Sequence, residues 1–374
     1  MIVSIVGVGY RHLIKPILFQ FDPELVHAQI TTIGEKLGKS AAIKKIFARF
    51  LTYRNDMLSQ NIAGINFLNP IGMSTGFDYE VRLTQLLPAM GFGFQSVGTI
   101  TFNAYEGNIK PRLGRLPKSH SLMVNKGFKN NGAKAVVKKV KKMKFAIPIG
   151  ISIGRTNNPH LSQKECITDI SNSFKLFEIS KLNNAYYELN ISCPNLHGSA
   201  TFYEPDKLDT LLSVIDTLQL SKPVFIKMPI SCENNEIIAM VEIIINHKIA
   251  GVIVGNLQKD RKNKYLIKNE VAKFSVGNFS GKPTYERSNE LIALIYKRFG
   301  NKLIIIGCGG IFTAQDAYTK IKKGAHLVQL ITGLIYQGPQ LAYEINKGLY
   351  QLLEKDGFTH ISEAVGSEYK KRVV

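Results

Sequence analysis

The chain has 374 residues, 45% hydrophobic and 20% charged, with a formal charge of +20. That length holds one large α/β barrel with an extension, or two ordinary domains, and the composition is that of a globular protein. No apolar run reaches the ~18 residues of a membrane span, and Cys166, Cys193, Cys232 and Cys308 lack metal or disulfide spacing, which fits a reducing compartment.

The opening MIVSIVGVGY is apolar but short, and Arg11, His12 and Lys15 follow it, the reverse of a signal peptide's charge order. Ile17–Phe21 is an aromatic-apolar patch that ends at Asp22-Pro23, a helix cap followed by a proline suited to the first helical position. From there Leu25, Val26, Ile30, Ile33 and Leu37 recur at helical spacing. A second segment sets Ile43, Ile46, Phe47, Phe50 and Leu51 against Lys44, Lys45 and Arg49, with the break near Gly34, Gly38 and Lys39-Ser40. Two short amphipathic helices with a basic face suit a membrane interface, or equally a helical hairpin packed on the main domain. The excess charge is compatible with nucleic acid, an anionic membrane or a solvated lysine-rich surface, and alone selects none of them.

Residues 62–70 read as a small hairpin or edge strand. A strand–helix alternation follows, with strands near 71–75, 93–99, 147–153, 185–191, 223–228, 250–255, 302–307 and 325–331. Helical patterns at 163–180, 205–219, 233–247, 284–299 and 313–323 lie between them. Eight such units predict a (β/α)8 TIM barrel rather than a doubly wound sheet. Two inserts, 100–131 and 256–283, are long enough to be functional. The tail from 356 to 374 is polar.

The fourth strand leads into Asn190-Ile191-Ser192-Cys193-Pro194-Asn195, and Pro194 forces the chain out of the sheet. Strand ends of this kind aim side chains into a barrel's active site. Carboxamides offer donors and an acceptor to a planar ring with amide-like edges. The thiol of Cys193 suits a nucleophile, base or acid, or else a small buried hydrophobe. Gly307–Ile311 and Leu330–Gly333 end the seventh and eighth strands, where barrels commonly bind phosphate, although glycines also simply make tight turns. Lys227 lies just before a proline at the fifth strand's tip, placed to stabilise negative charge on a reduced ring. Asn125–Gly132 is either a loop that folds over a planar ligand or a turn with capping asparagines, and Asn256 adds an amide at the sixth strand's end.

With these residues in view, the chain resembles the dihydroorotate dehydrogenases, specifically the quinone-dependent, membrane-associated class 2. LFQFDPELVH at 18–27, MSTGFD at 73–78, GFGFQSVGTIT at 91–101, KPRLGRLP at 110–117, NISCPN, FSGKP at 279–283, IIGCGGI at 305–311 and LVQLITGLIYQGP at 327–339 follow in that family's order. The resemblance implies an N-terminal extension (1–54) at the membrane, an FMN-binding barrel (55–355) and a C-terminal tail (356–374). It implies oxidation of dihydroorotate to orotate in pyrimidine synthesis, with a quinone as final acceptor. FMN contacts would come from Thr75, Gly76, Thr99, Ser152, Asn190, Lys227, Gly255, Gly281, Gly309, Gly310, Ile331, Thr332 and Gly333. Substrate contacts would come from Asn125, Phe128, Asn190, Asn195 and Asn256, with Cys193 as the base. A monomer is implied, cytoplasmic and peripheral on the inner face of the cell membrane, with no metal and no nucleic-acid partner.

Five positions depart from the class 2 pattern. Cys193 replaces the usual Ser, Leu196 the Thr two residues past Pro194, and Tyr79 a Lys after the first strand; Ser152 stands for an amide and Gly255 for a Thr. A thiol's solution pKa near 8.5 leads to the expectation of activity at less alkaline pH than in a serine-based relative. Two other readings are a tRNA-dihydrouridine synthase-like FMN enzyme and a non-catalytic membrane-bound flavoprotein derived from the family.

Overall fold

Eight short parallel strands close on themselves in sequence order. They are β1 (Ile71–Met73), β2 (Phe94–Ile100), β3 (Ile149–Ile153), β4 (Tyr186–Asn190), β5 (Val224–Met228), β6 (Gly251–Val254), β7 (Ile304–Cys308) and β8 (Leu327–Leu330). The computed structural model describes residues 2–300 and 302–370. Closure is direct: Val328 of β8 pairs with Ile71 of β1, and Gly72 of β1 with Phe94 of β2. These strands read as near-continuous apolar runs because helices cover one side and the barrel interior the other. The (β/α)8 barrel expected from the sequence is therefore the observed fold.

The barrel's two ends differ in chemistry. At the end where the strands begin, the segment expected at 62–70 as a hairpin or edge strand is a hairpin set slightly earlier, Gln60–Ile62 with Ile65–Phe67. It packs Ile62 and Phe67 on Phe94, Tyr186, Phe225, Ile253, Ile306 and Leu327, all buried. Burying a large apolar side chain contributes about 1.5–3 kcal/mol, so this plug fixes the base of the barrel. Some polar groups in the interior pair with one another: the Tyr186 and Ser96 hydroxyls lie 2.9 Å apart, and Gln329 Nε2 donates to Ser96 Oγ at 3.0 Å.

The opposite end is roofed by the two inserts, which meet. Leu113–Leu116 and Ser121–Val124 from the first pair as an antiparallel ribbon, and Asn278–Phe279 from the second adds a third strand. Neither insert is a free loop.

The N-terminal extension has one helical stretch more than the sequence indicates. Helix α1 (Ile2–Gly9) runs through a π-helical turn at Tyr10–Ile14 into α2 (Lys15–Leu18), before α3 (Pro23–Lys39) and α4 (Ala41–Leu51). The predicted cap of α3 forms: Asp22 Oδ1 accepts from the Leu25 N–H at 2.8 Å. Ser40 both ends α3 and caps α4. Among the described residues no helix is long and apolar enough to cross a membrane. The C-terminal segment is less polar in place than in sequence, since Ile361, Ala364 and Val365 are buried.

Candidate active site

One cavity of about 480 Å³ runs from the C-terminal ends of the strands outward between the N-terminal helices. Its inner wall carries Asn190, Cys193, Asn195, Lys227 and Asn256; its outer wall carries Leu18, Val26, Ile30 and Ile33.

The inner carboxamides are held by other polar groups, so each presents a fixed face. Asn190 Nδ2 donates to Thr99 Oγ1 at 2.8 Å, while its Oδ1 accepts from the Ser192 N–H and hydroxyl at 3.2 and 3.0 Å. Asn256 Nδ2 donates to Ser192 Oγ at 2.6 Å, and Asn256 Oδ1 accepts from the Leu257 N–H. Asn195 Nδ2 donates to the Val124 carbonyl at 3.0 Å, and Asn195 Oδ1 accepts from Asn278 Nδ2 at 2.7 Å. The insert ribbon thus orients the tip of β4. Such locked polar groups lose little freedom when a ligand arrives.

Cys193 sits among these amides. Burial pushes its thiol up to about 11, against the smaller opposing pull of the Asn195 N–H. Desolvation disfavours the thiolate, which works against the less alkaline activity expected from a thiol's solution value.

At the ends of β7 and β8 the backbone is shaped for an anion. Gly309 and Gly310 have φ of +104° and +71°, values that L side chains rarely adopt. A Cβ on Gly333 would run into the Ile311 carbonyl, and one on Gly281 would meet the His120 carbonyl and Thr332. Among the described residues the N–H groups of Gly309, Gly310 and Gly333 have no backbone acceptor. Unpaired N–H groups around a close-approach turn are what a phosphate needs. Lys227, 3% exposed, donates from Nζ to Ser74 Oγ at 2.8 Å. A Cβ on Gly255 would lie 2.8 Å from Ile230 Cγ2 and 3.1 Å from the Cys308 carbonyl, so a larger residue there would force a neighbour to shift.

Most of the residues anticipated from sequence line this cavity: Thr75, Gly76, Thr99, Phe128, Gly255, Gly281, Ile331 and Thr332 join those already named. Phe128 holds φ of +64°, a conformation costing of order 1–3 kcal/mol that surrounding structure must impose. Two anticipated residues are not on the wall. Ser152 is fully buried inside the barrel, donating to Glu188 Oε1 at 2.9 Å and lying 3.0 Å from Thr99 Oγ1. Asn125 stands behind the wall, its Oδ1 accepting from Asn108 Nδ2 at 3.0 Å; the same Nδ2 donates to the Asn195 carbonyl at 2.9 Å. Asn108, Asn278, Ser74 and Lys126 were not singled out by sequence. Ser74 adjoins Thr75 in a recognised motif; the others belong to inserts whose pairing no local pattern announces.

Comparison with known proteins agrees with this geometry. A profile described as "Dihydroorotate dehydrogenase" matches residues 57–353. A protein of Trichodesmium erythraeum named dihydroorotate dehydrogenase (quinone) is 36% identical, the alignment covering 96% of this chain and 98% of that one. One of the same name from Mycolicibacterium smegmatis is 34% identical, over 96% of this chain and 99% of that one. The crystal structure of an Eimeria tenella DHODH in complex with ferulenol superposes with a TM-score of 0.82 at 25% identity, covering 95% of this chain and 99% of that chain. With a barrel closed in the same order, a polar tip at β4 and matches along nearly the whole length, the chain belongs to the dihydroorotate dehydrogenase family.

Proposed function

We propose that this protein oxidises dihydroorotate to orotate in pyrimidine synthesis and passes the electrons through FMN to a quinone. The observation that carries this reading is the single cavity with a polar inner end and an apolar outer end.

The residues present fit FMN. Gly309, Gly310, Thr332 and Gly333 would hold its phosphate through N–H groups free to bond it, and Lys227 with Ser74 would sit at the ring system. When bound, the flavin supplies the hydride acceptor. Asn190, Asn195 and Asn256 hold the substrate ring by its amide edges. Cys193 takes the proton from the carbon beside the ring carbonyl, which requires the thiolate. With the thiol raised to about 11, the thiolate is the minor form at neutral pH and grows as pH rises. Turnover therefore accelerates as pH rises. Leu196, two residues past Pro194, offers no hydroxyl to relay that proton.

The outer end suits a lipophilic acceptor. Ile5, Leu13, Ile14, Ile17 and Phe21 are 51–68% exposed, and Arg11, Lys15, Lys36 and Lys39 share the same extension. Exposed apolar groups flanked by basic ones favour an anionic membrane surface. We infer a monomer, peripheral on the cytoplasmic face of the cell membrane, that draws its quinone from the bilayer.

Anaerobic mixing of the yellow protein with dihydroorotate tests the reading. Loss of flavin colour, then its return on adding a quinone, is expected; a flavin that stays oxidised contradicts it.

A further inference from the structure

Five basic side chains line the cavity: His27, Arg115, Lys126, Lys129 and Lys227. Four of them are engaged. His27 Nε2 lies 2.7 Å from the Phe77 carbonyl, and Arg115 donates to the Phe21 carbonyl at 2.6 Å. Lys129 is 3.4 Å from Glu24 Oε1, and Lys227 donates to Ser74. Lys126 differs. It is 8% exposed, and its Nζ has no hydrogen-bond partner.

The ammonium stands 4.4 Å from the centre of the Tyr79 ring, which is itself stacked on His27 at 5.5 Å. That aromatic face eases the burial of a cation without neutralising it. Burial lowers its pKa to about 7, with Glu24 the strongest opposing influence. Glu24, however, already pairs with Arg112 at 3.1 Å and with Lys129. An unpaired buried charge is costly, and the natural remedy is an arriving anion. Dihydroorotate and orotate are both carboxylates. The inner wall meets the ring's amide edges with carboxamides, and among the lysine and arginine side chains lining the cavity Lys126 is the one whose buried nitrogen has no hydrogen-bond partner, which leaves it open to a carboxylate.

We propose that Lys126 is the residue that pairs with the substrate's carboxylate, from a floor formed by the Tyr79 ring. This rests on the substrate assigned above and adds a positioning and selectivity role that the sequence did not indicate. Lys126 then binds the anion in ground state and transition state alike, so its loss raises KM more than it lowers kcat.

The test is calorimetric titration of the flavin-loaded enzyme with orotate and with orotamide, its uncharged amide. Lys126→Met is expected to weaken orotate about 50-fold, as loss of a charge-assisted bond does, while orotamide changes by no more than about twofold. Lys126→Arg restores most of the orotate affinity. Ligand-free Lys126→Met melts at the wild-type temperature or above, because an unpartnered ammonium has been removed. Lys126→Gln serves if the Met variant does not fold. Orotate affinity in the variant within about threefold of wild type, or equal losses for orotate and orotamide, overturns the proposal while leaving the assigned reaction intact. A wild-type protein that binds orotate no better than orotamide overturns it as well. Failure of dihydroorotate to reduce the wild-type flavin instead removes the substrate assignment itself.

Discussion

The inner and outer ends of the cavity are built on opposite principles. At the inner end each recognition group is tied to a second polar group: Asn190 to Thr99 and Ser192, Asn256 to Ser192, Asn195 to Asn278. At the outer end the wall is aliphatic, and Ile14, Ile30 and Ile33 are also open to the surroundings, at 41–51% exposure. Fixed polar groups select one small ring and hold it at a reaction distance. An open apolar mouth suits a lipophilic molecule and tolerates varied tails. The difference implies that the two half-reactions can be damaged separately.

The largest effect is expected at Cys193. Cys193→Ala should slow flavin reduction by dihydroorotate about 10²–10⁴-fold, the usual worth of a positioned base, while quinone oxidation of chemically reduced flavin is unchanged. Stopped-flow absorbance reads both. Next comes the phosphate cradle. Gly333→Ala forces a Cβ onto the Ile311 carbonyl, and the protein should purify with little flavin, its FMN affinity falling roughly 100-fold in a fluorescence titration. A variant that stays fully yellow would remove the last β–α turn from the cofactor site.

The pH profile sharpens the inner-end account. Because burial raises the thiol to about 11, the reductive half-reaction should gain close to tenfold per pH unit between pH 7 and 10. It should level only near the raised value. A plateau by pH 8.5 would mean that another group takes the proton. The smallest effect belongs to the outer end: Val26→Trp, on the apolar wall, should slow quinone reduction roughly tenfold by occupying the channel, with dihydroorotate binding untouched.

The legibility of the two ends differed as well. The barrel strands were plain in the sequence because each is a short apolar run between helical patterns, and Pro194 marks where β4 must end. The cap at Asp22 was equally plain, since side chain and proline both act within three residues. Helix α1 was not. Its residues are apolar apart from Ser4, no acidic or basic residue marks either end, and only Gly7 is buried. Asn125 and Asn108 illustrate the limit at the site. Both are carboxamides in one insert, but only the folded ribbon decides that Asn108 reaches the Asn195 carbonyl while Asn125 supports it from behind. Lys126 carries the same lesson, because the lack of a partner is a property of the fold and not of the local chain. The thiol's elevation belongs here too: residue type set the expectation near 8.5, and burial overrode it.

The most direct test of the central claim, one cavity serving two chemically distinct half-reactions, is to measure both half-reactions by stopped flow in Cys193→Ala and Val26→Trp side by side. The structure predicts a crossed pattern: the first variant loses reduction by dihydroorotate and keeps oxidation by quinone, and the second does the reverse. Parallel loss of both half-reactions in either variant would contradict it.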